Sequence, residues 1–259
     1  MLDELKITTI QSNLLWENIS ENLQNFENKI KTISNKTDII VLPEMFSTGF
    51  SMSPSKFAQS MDGTAVNWMK KMSANSKALM LGSLIIEDKG KYFNRLLAIT
   101  PNGNVQYYDK KHLFGMAGEN ECYEEGKTKL IFDFKGWKIC PLICYDLRFP
   151  VWSRNQNNYD VLVYVANWPE KRSNHWKILL QARAVENQSY VVGVNRIGED
   201  GNQNKYSGDT CVFDPNGQKI STTEAYMESI ETVILSKNLL TEIRKLLPFS
   251  KDMDNFVLV

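Results

Sequence analysis

Apolar positions along this chain follow two patterns that alternate. Short runs rich in Ile, Leu and Val, bounded by turn residues, predict strands at Leu5 to Gln11, Ile39 to Leu42, Leu79 to Ile86, Leu96 to Thr100, Val105 to Tyr108, Leu130 to Phe134, Ile139 to Ile143, Val161 to Val165, Tyr190 to Val194, Thr210 to Phe213 and Ser229 to Leu235. Between several of them the apolar spacing lengthens to the helical repeat. Ile19, Leu23, Phe26, Ile30 and Ile33 draw one stripe along a helix, with Asn, Glu and Lys left to face water. A second helix is expected after Asp62 as its N-cap, turning Val66, Met69 and Met72 inward. A third runs from about Ser173 to Asn187, and a fourth carries Leu239, Leu240, Ile243, Leu246 and Leu247 until Pro248 stops it. Pro101-Asn102-Gly103-Asn104 and Asp214-Pro215-Asn216-Gly217 are turn sequences, so hairpins are mixed with helical crossovers. That mixture predicts an α/β chain with mixed sheets and helices on their outer faces, not a purely parallel doubly wound sheet. No repeat, low-complexity segment or flexible linker divides residues 1–259, and one domain is the simplest reading.

Composition narrows the class of partner. The 30 Lys+Arg balance 30 Asp+Glu, so no field of one sign steers nucleic acid or an anionic membrane, and a small molecule is the expected partner. Met1-Leu2-Asp3-Glu4-Leu5-Lys6 puts charges where a signal peptide needs its apolar stretch, and no apolar run approaches the ~20 residues of a membrane span, so a cytoplasmic location is expected. Cys122, Cys140, Cys144 and Cys211 form no CxxC pair, and His112 and His175 are the two histidines. Neither structural zinc nor a disulfide framework is expected from that set, and the Glu, Lys and Cys chemistry described next requires no metal or organic cofactor.

Three segments carry candidate chemistry. In Lys138-Ile139-Cys140-Pro141-Leu142-Ile143-Cys144-Tyr145-Asp146-Leu147-Arg148-Phe149-Pro150 a cysteine stands where a buried strand gives way to a polar turn. A thiol there sits at the rim of a pocket, and the next N–H, that of Tyr145, is free to hold an oxyanion. Cys140 shares its strand face and should lie deeper. Val41-Leu42-Pro43-Glu44 ends another apolar strand in a carboxylate, and Tyr108-Asp109-Lys110-Lys111-His112-Leu113-Phe114 offers lysines. Taken singly, each has a bland reading: a buried small hydrophobe, a solvated loop acid, surface charges.

Together, and in this order, the three segments resemble the signatures of the nitrilase superfamily of carbon-nitrogen hydrolases, and the resemblance runs through nearly the whole chain to Asn195-Arg196-Ile197-Gly198 and Ser207-Gly208-Asp209. It implies a four-layer α-β-β-α sandwich, a homodimer joined through its helical layers, and Glu44, Lys110 and Cys144 as a catalytic triad, with Lys110 rather than Lys111 in register. A further family glutamate, which supports the lysine, precedes a Tyr by four residues and a Gly by seven; Glu119, Tyr123 and Gly126 fit. The stretch from Cys144 to Asn155 and the segment Ala166-Asn167-Trp168-Pro169 look like bacterial ω-amidases of the 2-oxoglutaramate type, which makes Asn167 and Trp168 candidates for substrate binding beside Tyr145. Short dicarboxylate mono-amides need a cation for their far end. Arg148, four residues past Cys144, is the first candidate, against a structural role bracing the turn; Arg172 and Arg154 follow. The alternatives are a nitrilase or N-carbamoyl amide hydrolase with the same triad, Cys-His catalysis by Cys144 with His175 or His112, and a catalytically silent interaction protein on this fold.

Overall fold

The computed structural model describes residues 3–33 and 36–257. Met1 and Leu2, part of the charged N-terminal stretch, lie outside the described residues. One sheet holds β1 (Glu4–Gln11), β2 (Ile39–Val41), β3 (Leu79–Asp88), β4 (Lys91–Ile99), β5 (Val105–Asp109) and β13 (Ser229–Ser236), in the order β13-β1-β2-β3-β4-β5. Its β1, β2 and β3 run parallel, and β13, β4 and β5 pair antiparallel. The second sheet, in the order β12-β9-β8-β7-β6, holds β6 (Phe132–Phe134), β7 (Trp137–Ile143), β8 (Val161–Ala166), β9 (Tyr190–Asn195) and β12 (Cys211–Phe213). A separate hairpin joins β10 (Ile197–Glu199) to β11 (Lys205–Ser207).

The side-chain alternation of the first sheet explains the layers. Leu5, Ile7, Ile39, Val41, Leu79, Leu81, Leu96 and Ala98 share one core with the strands of the second sheet. Their neighbours Ile10, Ile40, Leu42, Met80, Leu97 and Ile99 pack instead on α1 (Ile19–Lys31) and, past the four-residue α2 (Pro54–Phe57), on α3 (Thr64–Ser76). The short α4 (Glu119–Cys122) and α5 (Pro150–Ser153) precede α6 (Ser173–Asn187), whose Trp176, Leu180 and Ala184 cover the second sheet. Gly193 in β9 allows that approach, because a Cβ there would stand 2.3 Å from Leu180 Cδ1. The α7 helix (Lys237–Leu246) stops before Pro248 as expected. The result is the α-β-β-α sandwich of two mixed sheets.

Three local expectations need correction. Gly63, not Asp62, is the N-cap of α3; the Ala65 N–H is capped from outside by Gln59 Oε1 at 2.7 Å, and the Asp62 carbonyl accepts from Asn67 Nδ2 instead. β4 starts at Lys91, not Leu96, because pairing with β3 carries the polar Asn94 and Arg95 into the sheet. The β10–β11 hairpin has no counterpart among the predicted strands, since three polar-flanked residues give no period to read. Among the described residues no helix is long and apolar enough to cross a membrane.

Candidate active site

Strands from both sheets end at one place. Glu44 follows β2 through Leu42 and Pro43, Lys110 follows β5, and Cys144 follows β7. Cys144 has φ of +40°, a left-handed conformation that costs a side-chain-bearing residue energy and must be held by its surroundings. Asp146 holds it. Its carboxylate accepts from the Ile143 N–H at 3.0 Å, Tyr108 Oη at 2.8 Å, the His112 N–H at 3.0 Å and His112 Nδ1 at 2.8 Å, tying the elbow to the Lys110 loop. Tyr108 Oη accepts in turn from the Lys111 N–H and Trp152 Nε1, and the His112 ring stacks on Phe149 at 3.8 Å. The Tyr145 N–H opens a 3-10 turn over Cys144–Arg148, where the first N–H groups have no partner within the turn.

The two cysteines of β7 separate as the pleat predicts. Cys140 is enclosed, and burial pushes its thiol up to about 12; Cys144 is 9% exposed and lines a cavity. Burial and then the Glu44 carboxylate raise the Cys144 thiol well above its ordinary value against the pull of Lys110, so in the resting site it keeps its proton.

Behind the thiol, Glu44, Lys110 and Glu119 form a fully buried cluster. Lys110 Nζ donates to Glu44 Oε1 at 2.9 Å and to Glu119 at 2.9 and 2.8 Å. Burial opposes the lysine's charge, and the two carboxylates overcome it and raise its pKa. Glu119 is also raised, by burial first and by Glu44, against Lys110 and the Phe114 N–H that donates to it at 2.6 Å. Two carboxylates thus share one ammonium where water does not reach. Lys110 also lines the cavity, so its ammonium stands between the two carboxylates and the space beside Cys144.

That cavity encloses about 360 Å³. Lys110, Cys144 and Tyr145 lie on it, Phe50, Phe114, Trp168 and Tyr206 supply aromatic walls, and Arg148 and Arg172 add guanidinium groups. Among the described residues, no three His, Cys, Asp or Glu side chains are grouped to hold a metal ion.

The carbon-nitrogen hydrolase model matches residues 6–245. The chain belongs to that family. It is 45% identical to omega-amidase YafV of Escherichia coli (strain K12) over 97% of this chain and 98% of that one, and 32% identical to 2-oxoglutaramate amidase of Bacillus subtilis (strain 168) over 83% and 85%. A CN-hydrolase superfamily protein from Xanthomonas campestris, whose crystal structure carries an arsenic adduct in the active site, superposes with a TM-score of 0.97 at 38% identity and full coverage of both chains.

In this carbon-nitrogen hydrolase the remaining candidates separate clearly. Arg148 makes no ion pair with an internal Asp or Glu among the described residues; its guanidinium lies 4.8 Å from the centre of the Trp168 ring, with Nη2 3.2 Å from His175 Nδ1. Arg172 lies 5.4 Å from the Phe114 ring on the same cavity, whereas Arg154 points away and donates to the Glu186 carbonyl. His112 is engaged by Asp146 and His175 by Arg148, and neither makes a hydrogen bond to Cys144 among the described residues. Asn167 is bound to Glu44 twice, its N–H to Oε2 at 2.7 Å and its Nδ2 to the Glu44 carbonyl at 2.6 Å. Trp168 donates Nε1 to the Arg172 carbonyl.

Sequence reasoning missed Asn94, the clamp made by Asp146, and the wall supplied by Phe50 and the β10–β11 hairpin. The signal for Asn94 was faint: one amide beside Arg95 in the polar first half of β4, ahead of the apolar run Leu96–Ile99. Arg196 anchors the hairpin, donating to the carbonyls of Leu14, Ile197 and Glu199 at 3.1, 3.0 and 3.1 Å.

Proposed function

We propose that this hydrolase is an ω-amidase that removes the terminal amide of short dicarboxylate mono-amides such as 2-oxoglutaramate, 2-oxosuccinamate and succinamate. The observation that carries the reading is one cavity with Cys144 and Lys110 on its surface and, on the same surface, an Arg148 that makes no ion pair among the described residues. A planar carboxylate suits a guanidinium fork, and the full-length likeness to an omega-amidase points the same way.

In this mechanism Glu44 takes the proton of Cys144, and the sulfur attacks the amide carbonyl. The Lys110 ammonium and the Tyr145 N–H hold the oxyanion. The proton passes to the departing nitrogen, ammonia leaves, and a thioester remains on Cys144. Glu44 then removes a proton from water, which attacks the thioester and frees the acid. Glu119 keeps Lys110 charged and in place. The raised thiol fits this order, because the thiolate is made only when Glu44 accepts its proton. Asn167 would orient Glu44, and Trp168 would carry Arg148 against the substrate carboxylate.

The reading takes the chain as one domain acting in the cytoplasm as a homodimer, with exposed Val151 and Ile178 of the helical layer as contacts. Ammonia release from 2-oxoglutaramate and succinamate, set beside nitriles and N-carbamoyl amides, tests it. Turnover of nitriles or carbamoyl compounds in preference to ω-amides, or no turnover at all, would overturn it.

A further inference from the structure

Asn94 lies on β4 outside every motif that marks the site, and it is fully buried. Its Nδ2 donates to Glu44 Oε1 at 2.7 Å and to Glu119 Oε1 at 3.2 Å, the two oxygens that also accept from Lys110. Its carbonyl accepts the Lys110 N–H at 3.0 Å, so the same residue fixes the lysine's backbone. One uncharged amide therefore bridges two carboxylates that repel each other and share a single ammonium.

We propose that Asn94 is a positioning residue of this site, an uncharged second donor that keeps the Glu44 and Glu119 carboxylates ionised and aligned so that Glu44 can take the Cys144 proton. This rests on the amide-hydrolase reading above. Charged and titratable groups face the pair from several elements: Lys110 after β5, Cys144 on the elbow, and Tyr123 after α4. Lys110 alone among them supplies positive charge. Each N–H withdrawn from the carboxylates shifts the balance toward proton uptake, since burial already favours the neutral form of Glu119. An aspartate in place of Asn94 would add a third carboxylate to the same ammonium. An amide donates without adding charge.

Two variants test the inference. Asn94→Leu removes the donor and keeps the branched four-atom outline at larger volume, and Asn94→Ser leaves a hydroxyl too short to span both carboxylates, should the leucine variant fail to fold. The readouts are kcat and KM for succinamate, and the pH dependence of iodoacetamide alkylation of Cys144 followed on its own peptide by mass spectrometry. In either folded variant kcat should fall at least tenfold with KM changed less than threefold. The acid limb of Cys144 alkylation should move to higher pH by about one unit, as the carboxylate pair takes up its proton earlier. An unmoved acid limb, whatever the loss of thermal stability, would make Asn94 a packing residue and overturn the proposal. Failure of the wild type to hydrolyse succinamate would sink the ω-amide reading alone, because the alkylation readout needs no substrate.

Discussion

Side by side on β4 and β5 stand two clusters of the same composition, each with one cation between two carboxylates. Arg95 donates Nε and Nη2 to Asp109 at 2.6 and 2.9 Å and Nη1 to Asp88 at 3.1 Å; one position over, at Asn94 just before Arg95 and at Lys110 just past the end of β5, begins the cluster of Asn94, Lys110, Glu44 and Glu119. Consecutive residues of a strand point to opposite faces, so one cluster reaches the surface and the other the interior. The Asp88 side chain in the outer cluster is 35% exposed, and water shares its charge. Burial works against the charge of Arg95, and Asp109 together with Asp88 and Tyr107 more than restores it. Nothing is left over to react. In the inner cluster both carboxylates are enclosed, Glu119 is pushed up, and the excess negative charge faces a thiol that still holds its proton. Identical charge counts therefore give a brace at the surface and, in the mechanism proposed above, a proton acceptor inside.

If the inner cluster serves Cys144, the largest effect belongs to the thiol itself. Cys144→Ala should lower ω-amide hydrolysis by about 10⁶, the scale of losing a covalent nucleophile, while Cys140→Ala keeps at least about a tenth of the activity, its loss confined to packing. Equal losses in two folded variants would place the nucleophile elsewhere.

The next effect sets the two cations against each other. Lys110→Ala should reduce turnover by the ~10²–10³ expected for one oxyanion donor. Arg95→Ala should leave turnover within about threefold and instead cost about 2 kcal/mol of stability, between the values for an exposed and an enclosed pair. Urea unfolding and steady-state kinetics on both proteins decide, and a reversal would erase the distinction between brace and site. Lys111→Ala, whose partner Glu125 is at the surface, serves as the neighbouring control and should be mild.

A smaller effect concerns recognition. Arg148→Lys should raise KM for 2-oxoglutaramate or succinamate about tenfold more than for an uncharged amide of similar length, because a point charge replaces a fork. An equal penalty on both substrates would return Arg148 to a bracing role and leave Arg172 as the cation to test.

The smallest effect is one of linkage. Glu119 is raised in the folded protein, so it binds its proton more tightly there than in the unfolded chain. Its contribution to stability is full below the ordinary carboxylate pKa and is lost as pH rises through the folded value. The stability of the wild type relative to Glu119→Gln should therefore decline as pH rises from about 4 toward neutrality. Asp109→Asn, in the outer cluster, supplies the comparison curve. A gap that widens with pH for Glu119→Gln would mean that Lys110 outweighs burial.

Much of the frame is legible in the order of residues. Strand runs such as Val161 to Val165 and the stripe from Ile19 to Ile33 carry their period within a few residues, and the positions of Glu44, Lys110, Glu119 and Cys144 follow from motif register. The N-cap of α3 is not legible in that way, because the group that caps its first turn, Gln59, lies outside the helix and is aimed by the fold.

What the chain determined alone is therefore what neighbouring residues decide among themselves: alternation of strand and helix, the faces of each element, and the order of the reactive segments. Tertiary structure decided the rest. It brought Asn94 to Glu44 across 50 residues and the Asn167 N–H to Glu44 across 123, left Arg148 on the face of Trp168, and held Cys144 at φ of +40° by bonds from Asp146 to the Lys110 loop. The physical reason is range. Hydrophobic period and backbone preference act over one or two turns of chain, whereas burial, charge sharing and hydrogen-bond partners depend on which strand ends the two sheets bring together.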